Sequence, residues 1–152
     1  MLNSRWKEVR GMRNRGGFTL IELVLVISII ALLIMAVGLT SGVRENAKVH
    51  SASESVKALR TAAESYIAAG NMTYTGITVA GLQTLGYLPA AFSATGSNPW
   101  GGNFAIAPNT DANKVDISLT GVSSSAATRL SALFANSAAA TSYASNTWTI
   151  TF

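Results

Sequence analysis

The sequence predicts an α+β fold: a long N-terminal helix, membrane-spanning in its first half, packed on a small antiparallel β-sheet head. Three observations carry this. A charge-free apolar run, Leu23 to Val43, is followed without proline by an amphipathic stretch that ends at Gly70-Asn71. Two later segments, "KVDISLTG" and "NTWTITF", alternate apolar and polar residues with the period of a half-buried strand. Glycine- and proline-rich breakers separate the elements of the second half.

Charge sets the organisation of the chain. The net charge is +4 over 152 residues. Residues 1–17 hold Arg5, Lys7, Arg10, Arg13 and Arg15 against Glu8 alone, whereas the cations and carboxylates of 18–152 balance. The whole basic excess therefore precedes Phe18. That is the asymmetry of a targeting segment, not of a basic binding face, and nucleic acid is not indicated as a partner. Cysteine is absent, which excludes disulfides and thiolate metal sites.

The 21 residues from Leu23 to Val43 are mostly Leu, Ile, Val, Ala and Met. At about 1.5 Å per residue they match a hydrocarbon core of about 30 Å. Positive residues before the run place the N-terminus in the cytoplasm and the remainder outside. A cleaved secretory signal is the alternative, with Ala36 and Gly38 as small residues at a cleavage-type site. Glu22 argues against a plain anchor. A carboxylate in a span costs roughly 2.5–3.5 kcal/mol and usually has a partner and a role. A cut between Gly17 and Phe18 would create an amine one helical turn from Glu22, in the same chain or in a neighbour. A carboxylate satisfied only by a neighbour's terminal amine fixes axial register, because misregister leaves both charges unpaired. Pairing of Glu22 with the amine of its own chain is the simpler alternative.

"RGGFTLIELVLVISIIALL", within Arg13 to about Leu39, resembles the signal of type IV pilins and pseudopilins. The resemblance implies that residues 1–17 are a leader removed by a prepilin peptidase. It implies cleavage between Gly17 and Phe18 and N-methylation of Phe18. It implies assembly through Glu22, Phe18, Leu20 and Leu23 into a homo-polymer driven by an assembly ATPase and platform. The protein would lie in the inner membrane before assembly and in an extracellular fibre after it. A 17-residue leader leans toward the b-type pilins or a pseudopilin. The implied fold is the type IV pilin fold.

The implied segments are 18–43 as the membrane and fibre-core helix, 44–70 as its amphipathic continuation, and 71–152 as the head. In the continuation Ala52, Val56, Leu59, Ala63, Tyr66 and Ile67 recur at three and four residues. Gly38 and Gly42 are positions where the helix is expected to loosen. In the head, "TVAGLQTLGYLP" reads as a short helix with Val79, Leu82 and Leu85 on one face. "SNPWGGNFAIA" reads as a turn feeding a strand. Val115, Ile117 and Leu119 form one strand face. A helix capped near Ser123 packs Leu130, Leu133 and Phe134, and a last strand turns Trp148, Ile150 and Phe152 inward. These give about three strands against the long helix. The steps "Gly-Tyr-Leu-Pro" (86–89) and "Asn-Pro-Trp-Gly-Gly" (98–102) resemble the PilS-like b-type pilins, and the second is also similar to a segment of type II secretion major pseudopilins. Members of this pilin group usually close the C-terminal region with a disulfide, which this chain lacks.

No catalytic constellation is present in the sequence. The single His50 lies on the exposed side of the long helix, with no nucleophile motif, P-loop or metal-ligand cluster. No enzymatic activity and no cofactor are expected. "PNTDANKVD" offers Asp111, Asn113 and Asp116 as oxygen ligands for Ca²⁺, with an Asx-rich hairpin turn as the plainer reading. Asn71-Met72-Thr73 matches a glycosylation sequon. Two readings follow: a pilus subunit serving adhesion, aggregation, motility or DNA transfer, or a major-type pseudopilin of a type II secretion system. A signal-anchored extracytoplasmic binding domain is a distant third.

Overall fold

A computed structural model describes residues 19–152, with the side chains of 36–41 excepted. Its elements are α1 (Leu20–Ala68), α2 (Val79–Thr84), β1 (Phe104–Pro108), β2 (Val115–Thr120), α3 (Ser124–Phe134), β3 (Ala140–Ala144) and β4 (Thr147–Thr151). The chain divides into two compact units that meet within α1, residues 1–39 and 40–152.

In the first unit the described part of α1 carries apolar side chains on every face, and they are exposed from Leu20 to Met35. A helix apolar all round is suited to lipid or to a protein core, not to water. Among the described residues no helix is long and apolar enough to cross a membrane.

The second unit is built around the amphipathic half of α1. Ala52, Val56, Leu59 and Ala63 are fully buried, as the spacing predicts, and Val49 and Ala62 join them. Tyr66 and Ile67 are half-buried. Gly70 ends the helix at φ +104°, a conformation that costs a residue without a Cβ little. Its N–H donates to the Ile67 carbonyl (3.0 Å), and Asn71 Nδ2 donates to the Tyr66 carbonyl (2.8 Å). The sequon asparagine is thus occupied in closing the helix.

The sheet is antiparallel with order β1-β2-β4-β3. Ile117 sits opposite Ile106 on one side and Ile150 on the other, and Leu119 opposite Phe104 and Trp148. These inward residues form one core with α1, α2 and α3. Trp148 is completely buried; its Nε1 donates to Ser131 Oγ on α3 (2.9 Å). Phe152 meets Phe134 edge-on at 6.1 Å, and Arg60 lies over its ring at 4.6 Å.

Three expectations require correction. The sheet has four strands, not three: β3 is exposed at all five positions, so burial imposed no apolar alternation on it. Leu85 is 52% exposed because α2 ends at Thr84 and Leu85 caps it, outside the packed face. Leu133 is 53% exposed because it lies beside, not within, the face that buries Leu130 and Phe134.

The Asn98–Gly102 turn is held by one buried amide. Asn98 Oδ1 accepts from the N–H groups of Trp100 (3.0 Å) and Gly102 (2.8 Å). Its Nδ2 donates to the carbonyls of Thr120 (2.7 Å) and Asn103 (3.3 Å). Gly101 has φ +79°, and a Cβ on Gly102 would collide with the Thr120 carbonyl, 2.6 Å from its carbon. We expect Asn98→Ala to cost about 3 kcal/mol, since it strands several buried polar groups at once. Gly102→Ala should cost about 1–3 kcal/mol through the forced shift of β2. Thermal unfolding followed by circular dichroism checks both; an unchanged midpoint for either variant contradicts the corresponding contact.

Candidate functional site

Helix α1 opens with a reciprocal cap. Glu22 N–H donates to Thr19 Oγ1 (3.3 Å), and Thr19 N–H reaches back to Glu22 Oε2 (3.5 Å). This is the capping box of a Thr-x-x-Glu sequence, which satisfies two otherwise orphan donors and sets a carboxylate at the positive end of the helix dipole. The signature stands in the sequence at Thr19 to Glu22, but the expectation there concerned only a charge partner. Glu22 is the single charged residue between Thr19 and Val43. Around it Leu20 (82% exposed), Ile21 and Leu23 (56%) form an uncovered apolar surface. Gly17 and Phe18, the expected cleavage and methylation positions, lie outside the described residues.

A second polar centre ties α1 to two loops of the head. Glu45 Oε1 accepts from Ser123 Oγ (2.7 Å) and from Trp100 Nε1 (3.2 Å). Ser123 is also the N-cap of α3, accepting from the Ala126 N–H at 3.3 Å. One helix turn of α1 is further linked through Asn46 to Arg129 of α3. Ser123 holds the Glu45 carboxyl below its ordinary pKa, partly opposed by desolvation and aided by Trp100, Lys48 and Arg129. The sequence signalled Ser123 as a cap and Trp100 as part of a turn. It gave no sign that both converge on Glu45, because the contacts join residues 78 and 55 positions apart.

The Asx-rich segment after β1 is a hairpin turn. Asn109 Nδ2 donates to both oxygens of Asp116 (2.9 Å each), and Thr151 Oγ1 donates to Asp116 Oδ1 (2.6 Å). Asp111 accepts from the Asn113 N–H (3.1 Å) and pairs with Lys114 (3.4 Å). The Asn113 N–H, then Lys114, hold the Asp111 carboxyl below its ordinary pKa. Asp116 thus serves the sheet and Asp111 the turn, and the two are not brought to a common centre. Among the described residues no three His, Asp or Glu side chains converge as a metal site. His50 is exposed and lines an open groove with Asn46, Val49, Arg129, Ala132 and Leu133.

The Glu45 centre predicts a pH dependence. A carboxyl with a lowered folded-state pKa stabilises the fold above its unfolded pKa, and that contribution is lost as pH falls through the lowered value. Wild type should therefore exceed Glu45→Gln in thermal midpoint at neutral pH, and the gap should close on acidification through and below the carboxylate range. A gap that stays constant with pH would refute the role of the charge. Because the half-buried carboxyl still reaches solvent, the effect should be modest, and salt should weaken it only where Lys48 and Arg129 contribute.

Two family descriptions match the chain. The prokaryotic N-terminal methylation motif covers residues 12–38, and the PilS N terminal description covers residues 40–151. No curated protein and no solved structure matches the chain significantly. The first match takes in the Thr19–Glu22 cap and the exposed apolar half of α1; the second takes in the helix-backed sheet and the Glu45 centre. With the α+β architecture and antiparallel sheet, they establish that the chain belongs to the type IV pilins, in the family described as PilS N terminal.

Proposed function

We propose that the protein is a structural subunit that polymerises through the apolar half of α1 into an extracellular type IV pilus. The observation that carries this is the uncovered, all-round apolar surface of Leu20–Met35, opened by the single carboxylate of Glu22. Such a surface is compatible with water nowhere; lipid before assembly and identical helices after it are environments that satisfy it. In this reading a prepilin peptidase cuts between Gly17 and Phe18 and the new N-terminus is methylated. The inner membrane holds the subunit with its N-terminus cytoplasmic, and an assembly ATPase and platform extract it. The head contributes no catalysis and needs no cofactor. Adhesion, aggregation, motility and DNA transfer are the uses such a fibre serves.

Glu22 then has two duties. Within its own chain it completes the cap with Thr19. In the fibre its charge meets the terminal amine of a neighbour, with Phe18, Leu20 and Leu23 packing around the pair. The cap contributes about 1 kcal/mol and accepts Gln as well as Glu. A docking ion pair needs the charge itself.

This separates the duties experimentally. Glu22→Gln should preserve helix content and membrane insertion yet lower sheared-fibre yield at least as severely as Glu22→Ala. Normal fibre yield in Glu22→Gln, with loss only in Glu22→Ala, would leave the cap as the residue's role and remove the docking pair. Substituting Gly17 by a bulky residue should leave the full-length chain uncut. Intact mass of material sheared from the native host tests the reading as a whole. A mass beginning at Phe18 with one added methyl, in an abundant fibre fraction, supports it. The same mass confined to the inner membrane favours a pseudopilin or minor subunit, and a full-length mass returns the chain to a signal-anchored domain.

A further inference from the structure

The two edges of the sheet are built differently. At β1, Thr120 N–H bonds to the Asn103 carbonyl (3.1 Å) and Asn109 N–H to the Lys114 carbonyl (3.0 Å). Alternation then turns the main-chain groups of Phe104, Ile106 and Pro108 away from β2. Phe104 N–H is already taken by the Ala94 carbonyl (2.8 Å), and Pro108 has none. That edge is left with one outward donor, at Ile106, and is poorly suited to pairing.

The β3 edge has no such protection. All five of its residues are exposed, none is proline or charged, and no charged side chain occurs from Leu130 to Phe152. The hairpin into β4 has the two-residue loop Ser145-Asn146, with φ of 49° and 58°, the geometry of a type I′ turn. Such a loop is flanked by a hydrogen-bonded pair, here Ala144 and Thr147. The pairs Ser142–Thr149 and Ala140–Thr151 then follow as hydrogen-bonded in turn. The N–H and C=O of Thr141 and Tyr143 therefore point outward. No main-chain hydrogen bond from elsewhere among the described residues reaches them.

These outward groups are symmetric about Ser142, and the symmetry identifies a partner. We propose that β3 is a self-pairing edge, which joins antiparallel to β3 of a second copy about a two-fold axis at Ser142. Thr141 of each copy faces Tyr143 of the other as a hydrogen-bonded pair, giving four main-chain bonds. Ser142 faces its own equivalent as a non-hydrogen-bonded pair, and Ala140 faces Ala144. Only Ala and Ser side chains meet on the outer face, Thr141 meets Tyr143 on the inner face, and no like charges are opposed. The contact is isologous and closes on itself as one eight-stranded sheet. Its consequence for fibres rests on the proposed function: between outward-facing heads such a two-fold contact joins two fibres side by side. The pairing itself does not depend on fibre formation.

The native sequence lacks cysteine, so one introduced thiol is unique. In the proposed register the Ser142 Cα atoms of the two copies lie about 4.5 Å apart, within disulfide reach. The Ala144 Cα atoms lie about 13 Å apart along the strands, out of reach. The purified full chain in detergent micelles is oxidised as Ser142→Cys and as Ala144→Cys, and disulfide dimer is measured on non-reducing gels. The expected result is a dimer from Ser142→Cys at least about tenfold above that from Ala144→Cys. Adding Thr141→Pro to Ser142→Cys removes two of the four bonds through outward N–H groups that β4 does not use. It should lower the dimer about tenfold while circular dichroism stays unchanged. Equal cross-linking of the two cysteine variants, or none from Ser142→Cys, overturns the proposal whatever the fibre experiments give. Should Thr141→Pro disturb the fold, the comparison of the two cysteine positions alone decides.

Discussion

The head depends on one interaction, the burial of a single stripe of α1 against the inner face of the sheet. A region of about 80 residues without disulfides buries too little surface to hold a sheet by itself. Ala52, Val56, Leu59 and Ala63 supply the missing wall, with Trp148, Ile117, Leu119 and Ile150 in the same core. The small residues of the stripe permit close approach; the large ones come from the strands and α3. The same helix that offers this stripe also carries the exposed apolar segment from Leu20 to Met35, so one element both completes the head and bears the surface proposed for assembly.

Polar contacts then fix what apolar burial leaves undetermined. Apolar packing is non-directional and tolerates small slides of a helix across a sheet. Glu45 removes that freedom by binding the cap of α3 and the indole of the Asn98–Gly102 turn at once. Asn98 ties the same turn to β2, and Asp116 joins β2, β4 and the β1–β2 hairpin. Arg60 closes the far end, paired with Glu64 and lying over the last aromatic ring. The chain has no cysteine, and these polar contacts are distributed along the core.

The two edges of the sheet express different constraints. β1 keeps only one outward donor, at Ile106, because Pro108 has none and the Ala94 carbonyl takes that of Phe104, as expected of an edge kept from other chains. β3 is left open, short and uncharged. Most of its side chains are small, and its turn uses Ser145 and Asn146 in the left-handed region without glycine. Strain accepted in a turn is usually over-determined by its surroundings. Here the Tyr143 hydroxyl reaches both the Val122 carbonyl (2.9 Å) and Asn146 (3.2 Å), and so holds the turn.

Much of this was legible in the sequence. The period of α1, its stop at Gly70, the inward faces of β2 and β4, the Ser123 cap and the breakers before β1 all follow from local spacing and backbone chemistry. Those signals act over a few residues and survive in any context. The Thr19–Glu22 cap is equally local, a Thr-x-x-Glu signature that needs no charge partner. What only the tertiary structure decided is non-local. The fourth strand carries no signal, because an edge exposed on all positions selects no apolar alternation. Leu85 and Leu133 are apolar and correctly spaced, yet the ends and angles of their helices leave them in solvent. Glu45, Trp100 and Ser123 are unremarkable apart, and they form one centre only when folding brings together residues far separated in the chain. Composition and periodicity record what each residue prefers; which partners it meets is settled by how the helix and the sheet pack.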